Sequence, residues 1–504
     1  MKKSMILFFS LILCVYFLPG WENPVNLSSS LDHCVIPRIA VGYDGAVHTV
    51  WFEYNPNSGI ADIYYRKHDK SGWQQKVNIT NTPWISRDPG VAVDKAGNVF
   101  ITWIDTFNRP SQRFGLAFKE ISATGEISDQ LVLISDVGKD LHNPMIASDD
   151  DGNLSIVSYL NWDGIIGINR DYGVWSPWQV VSRPESEFAT ESCHVVFGPD
   201  GYFHGVWPEF QRGYNDHMTI YYTRRKPGED WETPKDVWFI KEAQSHPKLA
   251  VNENGDLYIV WMEHTGNFVY FEIYFTKWDN SAKYWSTPRP VSQTDDYCNL
   301  PSIVLTRNGT IYTAWTYGPW GNLRDAYHNY AAPGSDFLQR PIPFFNTPIN
   351  NPYFTQLASG GPNDNVFFIY EQVTKSNQMK DIFFTSLKPV SVSLPVFAPI
   401  NASGQQINTI KINQHFSNFF NLLKWEENPE NAKENIEVAG YRIYRKELDQ
   451  EDEQASLLQT TENTVFSYVD YNIERNKTYV YLLAAIDDEG NESEKTTVSV
   501  SPRQ

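Results

Sequence analysis

The chain has 504 residues, a length that predicts more than one domain. Aromatic residues make up 15% of it, with 17 Trp and 28 Tyr, which favours strands over helices. The formal net charge of −19 argues against nucleic acid or an anionic membrane as partner, because a phosphate-binding face must be basic.

Residues 1–20 open with Lys2 and Lys3, continue through the apolar run Met5–Leu18 and end in Pro19–Gly20. That is the layout of a signal peptide, so the mature protein is expected to be exported, either secreted or kept in the periplasm or cell envelope. Cys14 follows a large residue, Leu13, where a lipoprotein signal needs a small one. No later stretch approaches about 18 apolar residues, so no membrane span is expected after cleavage. Beyond the leader only Cys34, Cys193 and Cys298 remain, which allow at most one bridge and do not make a disulfide scaffold.

Trp21–Ser28 (WENPVNLS) comes next, and its phrase returns downstream as WQQKVNIT (73–80), WSPWQVVS (175–182), WETPKDVW (231–238) and WSTPRPVS (285–292). Between these copies runs a template of Pro, Gly and Trp: Pro37/Gly45/Trp51, Pro89/Gly97/Trp103, Pro247/Gly255/Trp261 and Pro301/Gly309/Trp315. Pro144/Gly152/Ser158 and Cys193/Gly201/Trp207 each depart from it at one place. A seventh copy spans about Pro352–Tyr370, with Gly360–Asn365 (GGPNDN) in place of the short turn. A period of 49 to 55 residues between the glycines predicts a repeating unit of several strands.

Within a unit, IPRIAV and AVHTVW flank YDG, DPGVAV and NVFITW flank DKAG, and KLAV and LYIVW flank NENG. Gly-containing turns between β-branched and aromatic runs predict hairpins. A third strand follows (DIYYRK 62–67, TIYYTR 219–224, EIYFTK 272–277, DIFFTS 381–386), and the recurring Trp phrase is the fourth. Seven such units predict a seven-bladed β-propeller over residues 21–389. The seventh unit lacks its fourth strand, and Trp21–Ser28 is expected to supply it, closing an otherwise open sheet edge.

Residues 390–405 break the repeat with Pro and Ser and are expected to be a linker. Residues 406–504 predict a separate β-domain, and from Trp425 onward 18 Asp and Glu stand against 8 Lys and Arg. NLLKWEENP, GYRIYR (440–445) and TYVYLLAAIDDEGNES (478–493) resemble a fibronectin type III domain. The resemblance implies that Trp425 is a buried strand-B tryptophan, with strand C and strands F and G following.

Two sets of charged residues recur on the template. Glu53, Asp105, Glu209, Glu263 and Glu371 follow the Trp position, and Arg38, Arg87, His142, His194 and His246 surround the Pro position. In a propeller the loops at these places meet around one mouth of the central channel, so the ten residues are expected to ring it. Such a ring suits sugar hydroxyls, and two of its carboxylates could serve as acid and base on a glycosidic bond. An acid repeated after the Trp position equally suits the capping of a turn or pairing with a neighbouring blade's Arg. The histidines and cysteines show no CxxC or HxxxH spacing, Asp149–Asp151 fits a hairpin turn, and no metal or other cofactor is expected.

The repeats resemble those of sialidase-like, BNR-type propeller proteins, with remnants of the Asp-box at Asp69-Lys70-Ser71-Gly72-Trp73 and Asp171-Tyr172-Gly173-Val174-Trp175. The family's catalytic members carry six blades and a Phe/Tyr-Arg-Ile-Pro segment. Here seven repeats are present, and Val35-Ile36-Pro37-Arg38 places the arginine after the proline, so no catalytic residue carries over. The expected function is a non-catalytic scaffold or adhesion role, with a glycan or an extracellular protein bound at the channel mouth. The alternative is a sialidase-like glycoside hydrolase or a polysaccharide lyase.

Overall fold

The structure is a computed structural model. It describes residues 21–502 apart from 108–112, 136–137, 162, 184–191, 211–217, 239–242, 266–269, 294–296, 320–323, 336, 338–339, 346–350, 376–377, 388–396, 411–416, 430, 432–437, 449, 451, 475 and 488–491. The leader and most of the expected linker therefore lie outside the described residues. The chain is all-β, with antiparallel pairing throughout its named strands, and divides into two compact units, Met1–Pro389 and Val390–Gln504. Among the described residues no helix is long and apolar enough to cross a membrane.

In the first unit the described residues form seven antiparallel sheets. Sheet 1 begins with His33–Val41, sheet 2 with Ser86–Val93, sheet 3 with Leu141–Ser148 and sheet 4 with His194–Phe197. Sheet 5 begins with Gln244–Val251, sheet 6 with Cys298–Leu305 and sheet 7 with Tyr353–Gly360. Each first strand packs beside the first strand of the next sheet, and the strand of sheet 7 packs beside that of sheet 1, which closes a cycle. Seven hydrophobic clusters fill the seven gaps between successive sheets. Trp51, Trp103, Trp207, Trp261 and Trp315 are fully buried, each in the gap shared with the preceding sheet. One large apolar side chain per gap is why the Trp recurs: no sheet can bury its face alone.

The hairpins explain the template glycine. In six sheets a short loop closes with a hydrogen bond such as Gly42 N to Ala46 O (2.8 Å) or Thr306 N to Thr310 O (2.9 Å). Gly45, Gly97, Gly152, Gly201, Gly255 and Gly309 all take φ between 73° and 89° there, a region that a Cβ makes costly.

A second regularity sits at the template proline. In sheets 1, 2, 3, 5, 6 and 7 the first strand carries an extra residue relative to its partner, as between Val35 and Arg38 or between Ser245 and Lys248. The residue inside each bulge is left-handed: Ile36, Asp88, Asn143, His246, Leu300 and Phe354, with φ from 41° to 53°. The bulge corrects the reading of the seventh copy. Its proline slot is filled by Thr355, not Pro352, because the longer GGPNDN turn shifts the register. Thr355 and Cys193, the two described residues that replace the proline, each direct a side-chain donor at the bulge carbonyl of the preceding sheet. Thr355 Oγ1 reaches Leu300 O at 3.1 Å and Cys193 Sγ reaches Asn143 O at 3.6 Å. Cys34, Cys193 and Cys298 are all buried, and none of the three is in a disulfide.

Sheet 7 is completed by Val25–Asn26 against Lys380–Leu387. Leu27 N donates to Ile382 O at 2.7 Å, and Ile382 N donates to Ser28 Oγ at 3.0 Å. The same pair of bonds joins Ile79 and Thr80 to Ile63, Val181 and Ser182 to Ile165, and Val291 and Ser292 to Ile273. The Ser or Thr that ends four of the five Trp phrases is therefore a cap on the third strand of its sheet, whereas the phrase at 231–238 ends in Trp238 and Ile220 N donates to Gln244 Oε1 instead. Trp21 lies against Phe344 (4.6 Å between ring centroids) and His328 (5.6 Å).

His328 is buried with neither ring nitrogen hydrogen-bonded, and burial pushes its pKa down to about 3. Its unfolded value is near 6.5, so the unfolded chain takes up the proton first. This residue's penalty is absent above about pH 6.5 and grows as the pH falls towards 3. His328→Leu is expected to raise the thermal midpoint and to flatten its decline between pH 6.5 and 4; an unchanged decline in a pH series of melts would count against this.

In the second unit, Ile400–Ile410, Ser417–Glu426 and Ser467–Asp470 form one sheet. Ser456–Glu462, Gly440–Glu447, Tyr479–Ile486 and Thr496–Val500 form the other. The strand from Ile400 corrects the expected linker: residues 400–405 already pair with Leu422–Glu426 in the sheet ladder. Trp425, Tyr441, Tyr481 and Leu483 are buried in its core.

Candidate functional site

The five template acids lie within second strands, two residues after the buried Trp or, in sheet 7, one after Tyr370. An i, i+2 pair shares one face of a strand, which brings the carboxylate under the indole N–H. Trp51 Nε1 donates to Glu53 at 2.9 Å, Trp103 to Asp105 at 3.1 Å, Trp207 to Glu209 at 2.6 Å and Trp261 to Glu263 at 2.5 Å. Sheet 6 has Tyr317 at the acid position, and there Trp315 Nε1 has no acceptor.

Burying a carboxylate requires a counter-charge or several donors. Lys76 Nζ sits 2.6 Å from Glu53, Arg183 Nε 3.0 Å from Glu209 and Lys380 Nζ 3.1 Å from Glu371. Ser86 Oγ and Phe107 N donate to Asp105, and Gln244 Nε2 donates to Glu263. None of the five acids is more than 4% exposed. This corrects the expected ring: Glu53, Asp105, Glu209, Glu263 and Glu371 brace the sheets from inside and are not presented at a mouth. Burial pushes Glu371 up to about 7 against the opposing pull of Lys380.

The basic residues behave differently. Arg87 lies over the Phe114 ring at 4.2 Å and 3.7 Å from the Asp88 carboxylate. His142 sits on the first strand of sheet 3 with its Nε2 unpartnered. His246 occupies a left-handed bulge position; its backbone N donates to Ser192 Oγ at 3.2 Å, its Nδ1 has no partner, and burial, then Lys248, lowers its pKa to about 4. His194 accepts from Leu249 N at 3.3 Å, and burial together with Lys248 and Arg38 holds it neutral.

The position just after the proline slot organises these groups. Three of its occupants accept a bond from a backbone N–H of the next sheet: His194 from Leu249, Ser302 Oγ from Leu357 (2.9 Å) and Gln356 Oε1 from Ile39 (3.2 Å). Arg38 and Lys248 hold the same position in sheets 1 and 5, and a cation has no lone pair with which to make that bond. Both are half-buried, and neither forms an ion pair among the described residues. Arg38 Nη1 donates to Pro37 O at 3.2 Å, while its Nε is buried without a partner.

Arg38 stands in sheet 1, yet it acts on Cys193 and His194 of sheet 4 and on Lys248 of sheet 5. In a cycle of seven sheets those lie on the far side. Burial, then Arg38, pushes Lys248 down to about 7. Asp88 and Glu371 are the carboxylates near Arg38; beside Lys248 stands Cys193, whose thiol burial pushes up to about 12.

Among the ten residues expected at the site, Arg38, His194 and His246 interact electrostatically with Lys248, which sequence reasoning missed. The missed signal was register. Counted one residue past the proline slot, Arg38, His194 and Lys248 fall in a single column of the repeat. Among the described residues no three His, Cys, Asp or Glu side chains form a group that could hold a metal ion.

No family model matches the chain, and no curated protein does. Among solved structures it is similar to a fungal alcohol oxidase of the AA5 family in complex with copper, with 11% identity, a TM-score of 0.48, and 96% of this chain and 99% of that one covered. It is also similar to the polysaccharide lyase Uly1, with 10% identity, a TM-score of 0.47, and 75% and 94% covered. A third is the NanB sialidase from Streptococcus pneumoniae, with 9% identity, a TM-score of 0.42, and 74% and 70% covered. At these identities and scores, no residue role is carried from any of the three.

Proposed function

We propose that the first unit is a seven-bladed, sialidase-like propeller and the second a fibronectin type III-like domain of an exported protein. On this reading the protein binds carbohydrate, or an extracellular partner bearing it, at the axis of the propeller and does not cleave it. The cyclic packing of seven sheets supports the propeller. The second unit's division into sheets of three and four strands supports the sandwich, as does Tyr479 Oη, which accepts from Glu474 N at 3.0 Å in the manner of a tyrosine corner.

The observation that carries the functional reading is the split fate of the charged groups. The acids that hydrolysis would need are spent inside the sheets on indoles and cations, whereas Arg38 keeps a buried N–H donor without a partner. A glycan panel scored for both retention and cleavage tests it. Retention without cleavage is the expected result; turnover that disappears in Glu209→Gln while the fold persists would establish the enzymatic alternative.

A further inference from the structure

In six of the seven sheets the outermost segment is anchored by an aromatic ring that leans on the third strand of the preceding sheet. Trp73 meets Phe384 at 4.9 Å, Trp175 meets Phe118 at 5.0 Å, Phe337 meets Phe275 at 5.0 Å and Trp285 meets Tyr222 at 6.4 Å between centroids, all edge to face. Trp231 fills the space over Gly167, where an added Cβ would stand 2.9 Å from its Nε1. The supporting residue holds one register, as Tyr222 across from Val206, Phe275 across from Val260 and His328 across from Ala314 show. In sheet 7 the anchor is Trp21 and its support is His328, 5.6 Å away and again edge to face. Of the six supports, His328 is the one that gains a proton in the acid range; the others are Phe, Tyr or Gly. It stands under the one outer segment that does not follow its third strand along the chain, since Trp21–Ser28 reaches Lys380–Leu387 from the other end of the unit.

His328 is 1% exposed, neither ring nitrogen has a partner, and Phe344 stands 4.9 Å from it. The cluster around Trp21 and Phe344 holds Tyr312 and Tyr370 as its ionisable members, and burial keeps both phenols protonated. Among the described residues burial alone acts on the imidazole. An imidazolium there would carry two N–H donors; the rings offer a cation–π attraction but no lone pair. The charged groups that face the rest of the strand are Asp381 and Glu22, bonded to Ser28 and Ser386, and the cations Arg66, Lys76 and Lys375. Against burial, bonds from Thr374 and Ser28 hold Asp381 below its ordinary value, so it stays ionised down to about pH 4. We propose that His328 is an acid-operated latch on the closing strand: a proton taken up by its imidazole displaces Trp21 and frees Trp21–Ser28 from sheet 7, baring the edge of Lys380–Leu387 while the other six sheets stay formed. With the strand released, His328 returns to its ordinary value near 6.5, against about 3 when Trp21 covers it. Opening therefore becomes easier as the pH falls below 6.5, by about tenfold per unit, and the gain ends near 3. Above pH 7 the latch is shut.

Amide hydrogen exchange of the full mature chain between pH 7 and 4, corrected for the intrinsic pH dependence of exchange, tests this. Exchange in 22–28 and 381–386 is expected to accelerate by about tenfold per unit below pH 6, ahead of 285–292 in sheet 5 and of Tyr479–Ile486. His328→Phe, which installs the support found in three other sheets, should keep the protection at pH 7 and lose the acceleration. Trp21→Ala should exchange fast in the same segments already at pH 7. Exchange that does not change with pH overturns the latch, and so does acceleration that 285–292 shares equally, which is general acid unfolding. Acceleration that persists in His328→Phe overturns it too and assigns the effect to Asp381 or Glu22. Should His328→Phe fail to fold, the double variant Glu22→Gln/Asp381→Asn decides: acceleration kept there supports the latch, and acceleration lost there overturns it.

Discussion

Deleting Trp21–Ser28 is expected to unfold the first unit under conditions in which the second remains folded. The segment supplies Leu27, 1% exposed, and Trp21 packed on Phe344, with backbone bonds from Glu22 N to Ser386 O (2.9 Å) and Leu27 N to Ile382 O (2.7 Å). Ser28 Oγ adds a bond to Asp381 at 2.8 Å, and Thr385 Oγ1 one to Glu22 O at 2.7 Å. At about 2 kcal/mol for each large buried side chain and about 1 kcal/mol for each hydrogen bond, the loss is on the order of 5 kcal/mol or more. That is comparable to the whole stability of an ordinary domain. Differential scanning calorimetry should show one transition lost or lowered by at least roughly 10 °C and another unmoved. Added peptide of sequence 21–28 should restore part of the loss by pairing with Lys380–Leu387. Equal melting of the truncated and mature chains would refute the closure.

Glu209→Leu is expected to cost roughly 3 kcal/mol, the low end for breaking a buried pair, because its partner Arg183 keeps some contact with water. The glutamate is fully buried and accepts bonds from Trp207 Nε1 (2.6 Å), Arg183 N (3.2 Å) and Arg183 Nε (3.0 Å). Its removal strands an indole N–H inside the core and a guanidinium half inside it. Glu209→Gln keeps the shape and one acceptor and should cost less than half as much. Denaturant titration checks both. A wild-type midpoint for Glu209→Leu, accompanied by lost ligand binding, would return the acid to the ligand side and defeat the bracing account.

The two variants touch the point where sequence and structure part. Spacing made the hairpins, the repeat and the closing strand legible, because Gly at a left-handed turn, Trp in a gap and Ser on a strand cap each answer to local geometry. The acids were legible as a column but not in their role. Whether a carboxylate after Trp points at solvent or back under the indole depends on strand continuation, and Glu53 lies inside Val47–Asn55 rather than in a loop beyond it. Lys248 was missed for a different reason. Arg38, which acts on it, is 210 residues away, and only closure of the cycle lets the one act on the other. The linker was drawn too long because the Pro and Ser of residues 390–405 outweighed the extended character of Ile400 onward.

The recurrent bulge has a bearing on solubility. Each of the seven sheets turns one side of its first strand toward the centre, where an unpaired row of N–H and C=O groups would template a foreign strand and seed a fibril. In five sheets proline deletes one of those donors, and in three interfaces a neighbour's side chain takes the donor two residues on, as Gln356 does for Ile39. In six of the sheets a left-handed residue beside them kinks what remains, so none of those six runs is straight enough to receive a partner. The strain held at Ile36, Asp88, Asn143, His246, Leu300 and Phe354 thus acts as built-in protection against self-association, repeated around the protein's most vulnerable seam.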